Sequence, residues 1–69
     1  MSKYWLAMSL YELKKYTEAE ELFRQTVQGR EKTLGGEHSD TLLSKHWLVM
    51  SLYELIKYIE AEEFFRQTV

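Results

Sequence analysis

The chain has 69 residues, nine Lys plus Arg against eleven Asp plus Glu for a net charge of −2, and neither Cys nor Pro. That length allows one thin domain, the missing Cys excludes a disulfide staple, and the acidic balance excludes a phosphate-backbone binder. No apolar run is long enough to span a membrane, and the opening Met1-Ser2-Lys3-Tyr4-Trp5 lacks the order of a signal peptide, so a cytoplasmic location is expected.

Residues 2–14 read as a first helix. Leu6, Leu10 and Leu13 recur at i, i+4 and i+7 and form one apolar stripe, with Tyr4, Trp5, Met8, Tyr11 and Glu12 on the opposite side. Lys14-Lys15-Tyr16-Thr17 separates it from a second helix over 17–34, because Thr17 and Glu20 have the spacing of a capping box. Ala19, Leu22, Phe23, Thr26 and Val27 carry the apolar period of that helix. Glu18, Glu20 and Glu21 crowd its first turn and Arg30 and Lys32 its end, an order that complements the helix dipole. Gly35-Gly36 supplies a left-handed stop. Ser39 or Asp40 can then cap a third helix over 40–56, which carries Leu42, Leu43, Trp47 and Leu48 inward or sideways.

A fourth helix is expected over 59–69 because the chain repeats itself. Residues 45–69 copy residues 3–27 at a period of 42, with five of the 25 positions changed. The changes are Tyr4 to His46, Ala7 to Val49, Lys14 to Ile56, Thr17 to Ile59 and Leu22 to Phe64. Repeat one is thus 3–44 and a partial repeat two is 45–69, within a single domain 1–69. The fold class is all-α, built of antiparallel helical hairpins. A second geometry stands beside the closed hairpin in repeat two. Ile59 removes the Thr cap, and Leu55-Ile56-Lys57-Tyr58-Ile59 holds neither Gly nor Pro, so the third and fourth helices can merge from Asp40 to Val69. At 100° per residue all five changed positions then fall within an arc of about 140°.

Leu6, Ala7 and Leu10 in the first helix, Tyr16, Ala19 and Phe23 around the second, and the linker Arg30-Glu31-Lys32-Thr33-Leu34-Gly35 with His38-Ser39-Asp40-Thr41 form a recognisable set. On these residues the unit resembles a tetratricopeptide repeat, of the 42-residue variety seen in kinesin light chains and in fungal and bacterial repeat proteins. The hairpin turn carries Lys14 and Ile56 where that family usually has Gly, and the linker carries Gly36 and Ser39 where it usually has Pro. The resemblance implies an α-solenoid whose first helices line a concave groove for peptides. Carried over, it puts Tyr4, Trp5, Met8, Tyr11, His46, Trp47, Met50 and Tyr53 on that groove. The family's carboxylate clamp of Lys, Arg and Asn is missing from the matching positions. An apolar or amphipathic partner helix is therefore the foreign ligand such a lining would suit.

About 1.6 repeats with apolar end faces fall short of the roughly three units a stacked array needs. Where a water-facing terminal repeat should gain polar residues, this one exchanges Ala7, Lys14 and Thr17 for Val49, Ile56 and Ile59. We therefore expect a homo-oligomer, with a dimer as the first choice. It would be completed through Val49, Ile56, Ile59 and Phe64, with helix swapping between near-identical copies as a route. The near-perfect copies, and ends that ignore the repeat boundary, lead us to expect an engineered or truncated fragment.

Chemistry finds no foothold. His38 and His46 are isolated and zinc needs three or four converging ligands, so no metal and no cofactor is expected. The glutamates form i, i+4 pairs with arginines, Glu20 with Arg24 and Glu62 with Arg66, on a solvated helix face. Gly35-Gly36 follows no strand and precedes no Gly-Lys-Ser/Thr, and Ser9, Ser39 and Ser51 have no base beside them. No catalytic residue is assigned. The expected partners are a second copy of the chain or a peptide, not nucleic acid or membrane.

Overall fold

The computed structural model describes residues 2–68, which form three helices: α1 over Lys3–Glu12, α2 over Tyr16–Leu34 and α3 over Ser39–Thr68. The separate helices expected over 40–56 and 59–69 are one. α3 runs unbroken for 30 residues, as the merged geometry requires, and its final residue Val69 lies outside the described set.

The turn between α1 and α2 explains why the copies differ. Lys14 sits at φ 63°. Lys15 N–H reaches back to the Leu10 carbonyl at 2.8 Å and Lys14 N–H to the Tyr11 carbonyl at 2.9 Å. Those two bonds with a left-handed residue between them are a Schellman motif, which closes orphan carbonyls at a helix end. A non-glycine residue there costs about 1–2 kcal/mol. Lys tolerates the position; a β-branched residue at positive φ is a true outlier. Ile56 is the residue that would have to adopt it in repeat two, and continuing the α-helix through Ile costs well under about 1 kcal/mol. The chain takes the helix.

Caps also depart from the expected ones. Ser2 Oγ accepts from Tyr4 N–H at 3.2 Å and opens α1. α2 begins at Tyr16 with Lys15 as its cap residue and no side-chain capping bond, so Thr17 is already inside the helix. Thr17 has no cap to lose on becoming Ile59, and the turn residue alone accounts for the merger. At α3 the cap is His38: its Nδ1 accepts from Asp40 N–H at 3.1 Å, and its carbonyl accepts from Leu42 N–H at 3.0 Å. Gly35 at φ 90° supplies the expected stop after α2.

α2 is the central element, packed by α1 on one side and α3 on the other. Ala7, Ala19 and Phe23 are fully buried, and the Tyr4 ring meets Phe23 edge-on at 6.1 Å. Two alanines leave room for one phenyl ring and one phenol between α1 and α2. This reverses the expected inside of the first helix, since Leu6 and Leu13 are exposed. α3 approaches α2 through small polar residues, Thr41, Ser44 and Ser51, all buried. Ser44 and Ser51 return their hydroxyls to the carbonyls of Asp40 and Trp47, both at 2.9 Å. Arg30 ties the three helices together. Its Nη1 donates to the Asp40 carbonyl and to Ser44 Oγ, each at 2.8 Å, while its guanidinium lies 4.6 Å from the centre of the Tyr4 ring. Lys45 and Glu31 add an ion pair at 3.5 Å across α2 and α3.

α3 follows α2 until Tyr58 stacks on Tyr16 at 5.8 Å. Beyond that ring, residues 59–67 are all exposed and project past the hairpin, giving a long dimension of 49 Å. Two substitutions test this account. Lys14→Gly should raise stability by about 0.5–1 kcal/mol by relieving the left-handed lysine. Phe23→Ala should cost about 3–5 kcal/mol, enough to abolish a cooperative transition in so small a chain. Urea unfolding followed by circular dichroism reads both.

Candidate interaction site

The residues expected on one groove are distributed over three places. Tyr4 is interior, locked between Phe23 and Arg30, and is withdrawn from the groove. Its ring is held there because Ala7 and Ala19 vacate the space beside Phe23. Tyr11 and Trp47 meet each other edge-on at 5.2 Å, joining α1 to α3. Tyr11 also meets Tyr16 at 5.1 Å, so Trp47, Tyr11, Tyr16 and Tyr58 form a continuous ring chain across all three helices. Met8, Trp47 and Met50 are half-buried along α1 and α3, with Met8 and Trp47 packed on the core, and Trp5 is exposed. His46 is exposed with its ring edge-on to Trp47 at 5.4 Å. Tyr53 belongs elsewhere, on an open groove of about 470 Å³ along α3 that it lines with Val49, Leu52, Ile56, Lys57 and Glu60.

That α3 groove is the site with the clearest physical signature. Every residue lining it comes from one helix, so its floor is α3 alone and its outer side is open. Val49, Ile56, Ile59 and Phe64, the residues expected to drive association, are all more than half exposed. Comparison with repeat one is direct. Ala7 is 0% exposed and its copy Val49 61%; Phe23 is 0% exposed and its copy Phe65 66%. The side chains that make the core of the first hairpin lie open in the second, because α3 does not fold back. A second cavity of about 490 Å³ lies where α3 passes the turn, between Lys14, Lys15, Tyr16, Thr17, Glu18 and the pair Leu55, Tyr58.

The sequence pattern did not announce Arg30 as more than a helix-end charge, nor the Thr41, Ser44 and Ser51 stripe. The spacing of small residues at i, i+3 and i+10 was the available signal for that close helix contact. Among the described residues no three His, Cys, Asp or Glu side chains converge, and no helix is long and apolar enough to cross a membrane. Glu20 is paired with Arg24, and Glu62 with Arg66.

The hairpin of α1 and α2, with α3 laid against α2 as the next helix of the array, fits the helical-hairpin architecture that the sequence resemblance implied. The family model for the tetratricopeptide repeat matches residues 1–69. The chain belongs to the tetratricopeptide repeat family. Neither a curated protein nor a solved structure matches it. Tetratricopeptide repeats are protein-interaction units, and membership of the family gives this chain that general role.

Electrostatics single out the ring chain of this tetratricopeptide hairpin. Burial, then the Glu54 carboxylate, raises the hydroxyl pKa of Tyr11 above the ordinary tyrosine value. The same two causes, in the same order, raise that of Tyr16. A raised folded-state pKa means the unfolded chain loses its phenolic protons first. The folded state is therefore fully favoured below about pH 10 and loses ground as the pH rises through the shifted values. Ultraviolet titration should show Tyr11 and Tyr16 ionising above the ordinary tyrosine value, with stability falling on the alkaline side, and Glu54→Gln should bring both transitions closer to normal.

Proposed function

We propose that this tetratricopeptide fragment is a self-assembly module. The open α3 face is covered by a second copy of the chain, the assembly is a homodimer, and exchange of helical segments builds it. One observation carries the reading: Val49 and Tyr53 stand exposed on a helix face whose counterparts in α1, Ala7 and Tyr11, are packed against α2 within the same chain. A domain of this size buries only about 60% of its unfolded surface, so one with side chains of its repeat core exposed gains most from a partner that covers them. The 42-residue period is in keeping with the longer tetratricopeptide class. The role is non-enzymatic in this reading, with the glutamates engaged by arginines rather than set in a cleft.

A second reading rests on Trp5, which is 64% exposed on α1. With Met8 and Met50 it can receive an apolar or amphipathic partner helix, since thioethers and rings adapt to varied side chains.

Molar mass by light scattering, from low to high micromolar, separates the two. Self-assembly requires a species of twice the 8.3 kDa chain mass that keeps its helicity on dilution. A folded 8.3 kDa monomer at every concentration overturns it and leaves the Trp5 surface as the candidate for a foreign helix.

A further inference from the structure

The outer face of α3 is symmetric about its own midpoint. At 100° per residue Lys45, Val49, Leu52, Tyr53, Ile56 and Glu60 share a single arc of about 100°. Val49, Leu52, Tyr53 and Ile56 are exposed there and line the open groove, with Lys57 at its rim. Ser44 and Ser51, buried on the side of α3 that approaches α2, lie about 140–160° round the helix from Val49. A second helix therefore reaches the stripe without displacing α1 or α2. Measured from the point between Leu52 and Tyr53, Val49 and Ile56 stand equally far away, and so do Lys45 and Glu60. The nearer pair is apolar and the outer pair has opposite charge. Two of the differences between the copies, Ala7 to Val49 and Lys14 to Ile56, fall on this stripe and both enlarge its apolar centre.

Resting on the self-assembly reading, we infer that a second copy of the chain lies antiparallel along this one stripe, with the two-fold axis passing between Leu52 and Tyr53. Val49 of each chain then meets the partner's Ile56, Leu52 meets the partner's Tyr53, and Lys45 meets the partner's Glu60. The segment each chain lends is the end of α3 from Ile56 onward, which lies along the start of the partner's α3. Charge fixes the direction. A parallel pair would set Lys45 against Lys45 and Glu60 against Glu60, and like charges facing across a helix seam repel. In the antiparallel pair each lysine gains a carboxylate instead. Lys45 already holds Glu31 of its own chain at 3.5 Å with both side chains part-exposed, so it can take the partner's Glu60 on its open side. A stripe that complements itself under a two-fold rotation suits a second copy better than a foreign helix. The contact is isologous, so it closes at two chains and leaves no end for further growth.

The chain has no cysteine, which makes disulfide trapping clean. Val49→Cys with Ile56→Cys, oxidised and run without reductant, should give a covalent dimer. The two positions are about 10 Å apart along one helix and cannot bond within a chain. Either cysteine alone should leave the chains unlinked, because antiparallel copies hold each residue about 10 Å along the axis from its own equivalent. Glu60→Lys, an exposed change remote from the core, should weaken dimerisation about tenfold, and adding Lys45→Glu should restore it, with helicity followed by circular dichroism. Single cysteines that cross-link as fully as the pair overturn the antiparallel register and leave self-assembly standing. A dimeric mass that the cysteine pair does not trap and Glu60→Lys does not weaken overturns this stripe as the contact, again with self-assembly intact. A monomeric mass for the parent chain overturns self-assembly itself.

Discussion

A single backbone conformation at one turn governs the shape of this protein. Lys14 takes a positive φ and closes a Schellman motif, so α1 and α2 fold into a hairpin. At the same place in the second copy stands Ile56, whose branched Cβ makes the left-handed region expensive, and the helix carries on. Neither residue forbids or demands helix through side-chain polarity alone. The difference lies in sterics around one Cα, and from it follow the length of α3, the exposure of its outer face and the surface available to a partner.

Packing amplifies that choice. Phe23 is buried because α1 returns alongside α2 and brings Ala7 and Tyr4 to it. Phe65 has the same neighbours in sequence and no returning helix, and it stands two-thirds exposed. Burying such a ring is worth about 1.5–3 kcal/mol. The protein thus carries, in one molecule, a packed hairpin and a copy of the same residues laid out along one helix. Arg30 and the Thr41, Ser44 and Ser51 stripe bind α3 to the completed part, so the open half is presented from a fixed base.

The candidate site was only partly legible in the order of residues. The family resemblance puts Trp5, His46, Trp47 and Tyr53 on one groove, yet Trp47 turns toward Tyr11 while Tyr53 lines the outer groove. Periodicity locates an apolar face but does not say which of two apolar faces is covered. The first helix is apolar nearly all round, and its leucines looked as suited to a core as its rings. Volume decided it: paired alanines at 7 and 19 admit Tyr4 and Phe23 between two closely approaching helices, and Leu6 and Leu13 are left outside. Val49, Ile56, Ile59 and Phe64 were legible for a different reason, since comparison of two internal copies exposes what changed without any need to know the packing.

Helix content, the 42-residue repeat, the Gly35 stop and membership of the tetratricopeptide family were determined by the sequence itself, because local periodicity, turn chemistry and self-similarity each act over a few residues. Which helices paired, which face of α1 went inside, the capping by His38 and the span of Arg30 from Tyr4 to Ser44 were decided only in the tertiary structure. Those outcomes depend on volumes and distances between residues far apart in the chain. No local pattern encodes whether a helix of apolar residues will find another helix to lie against.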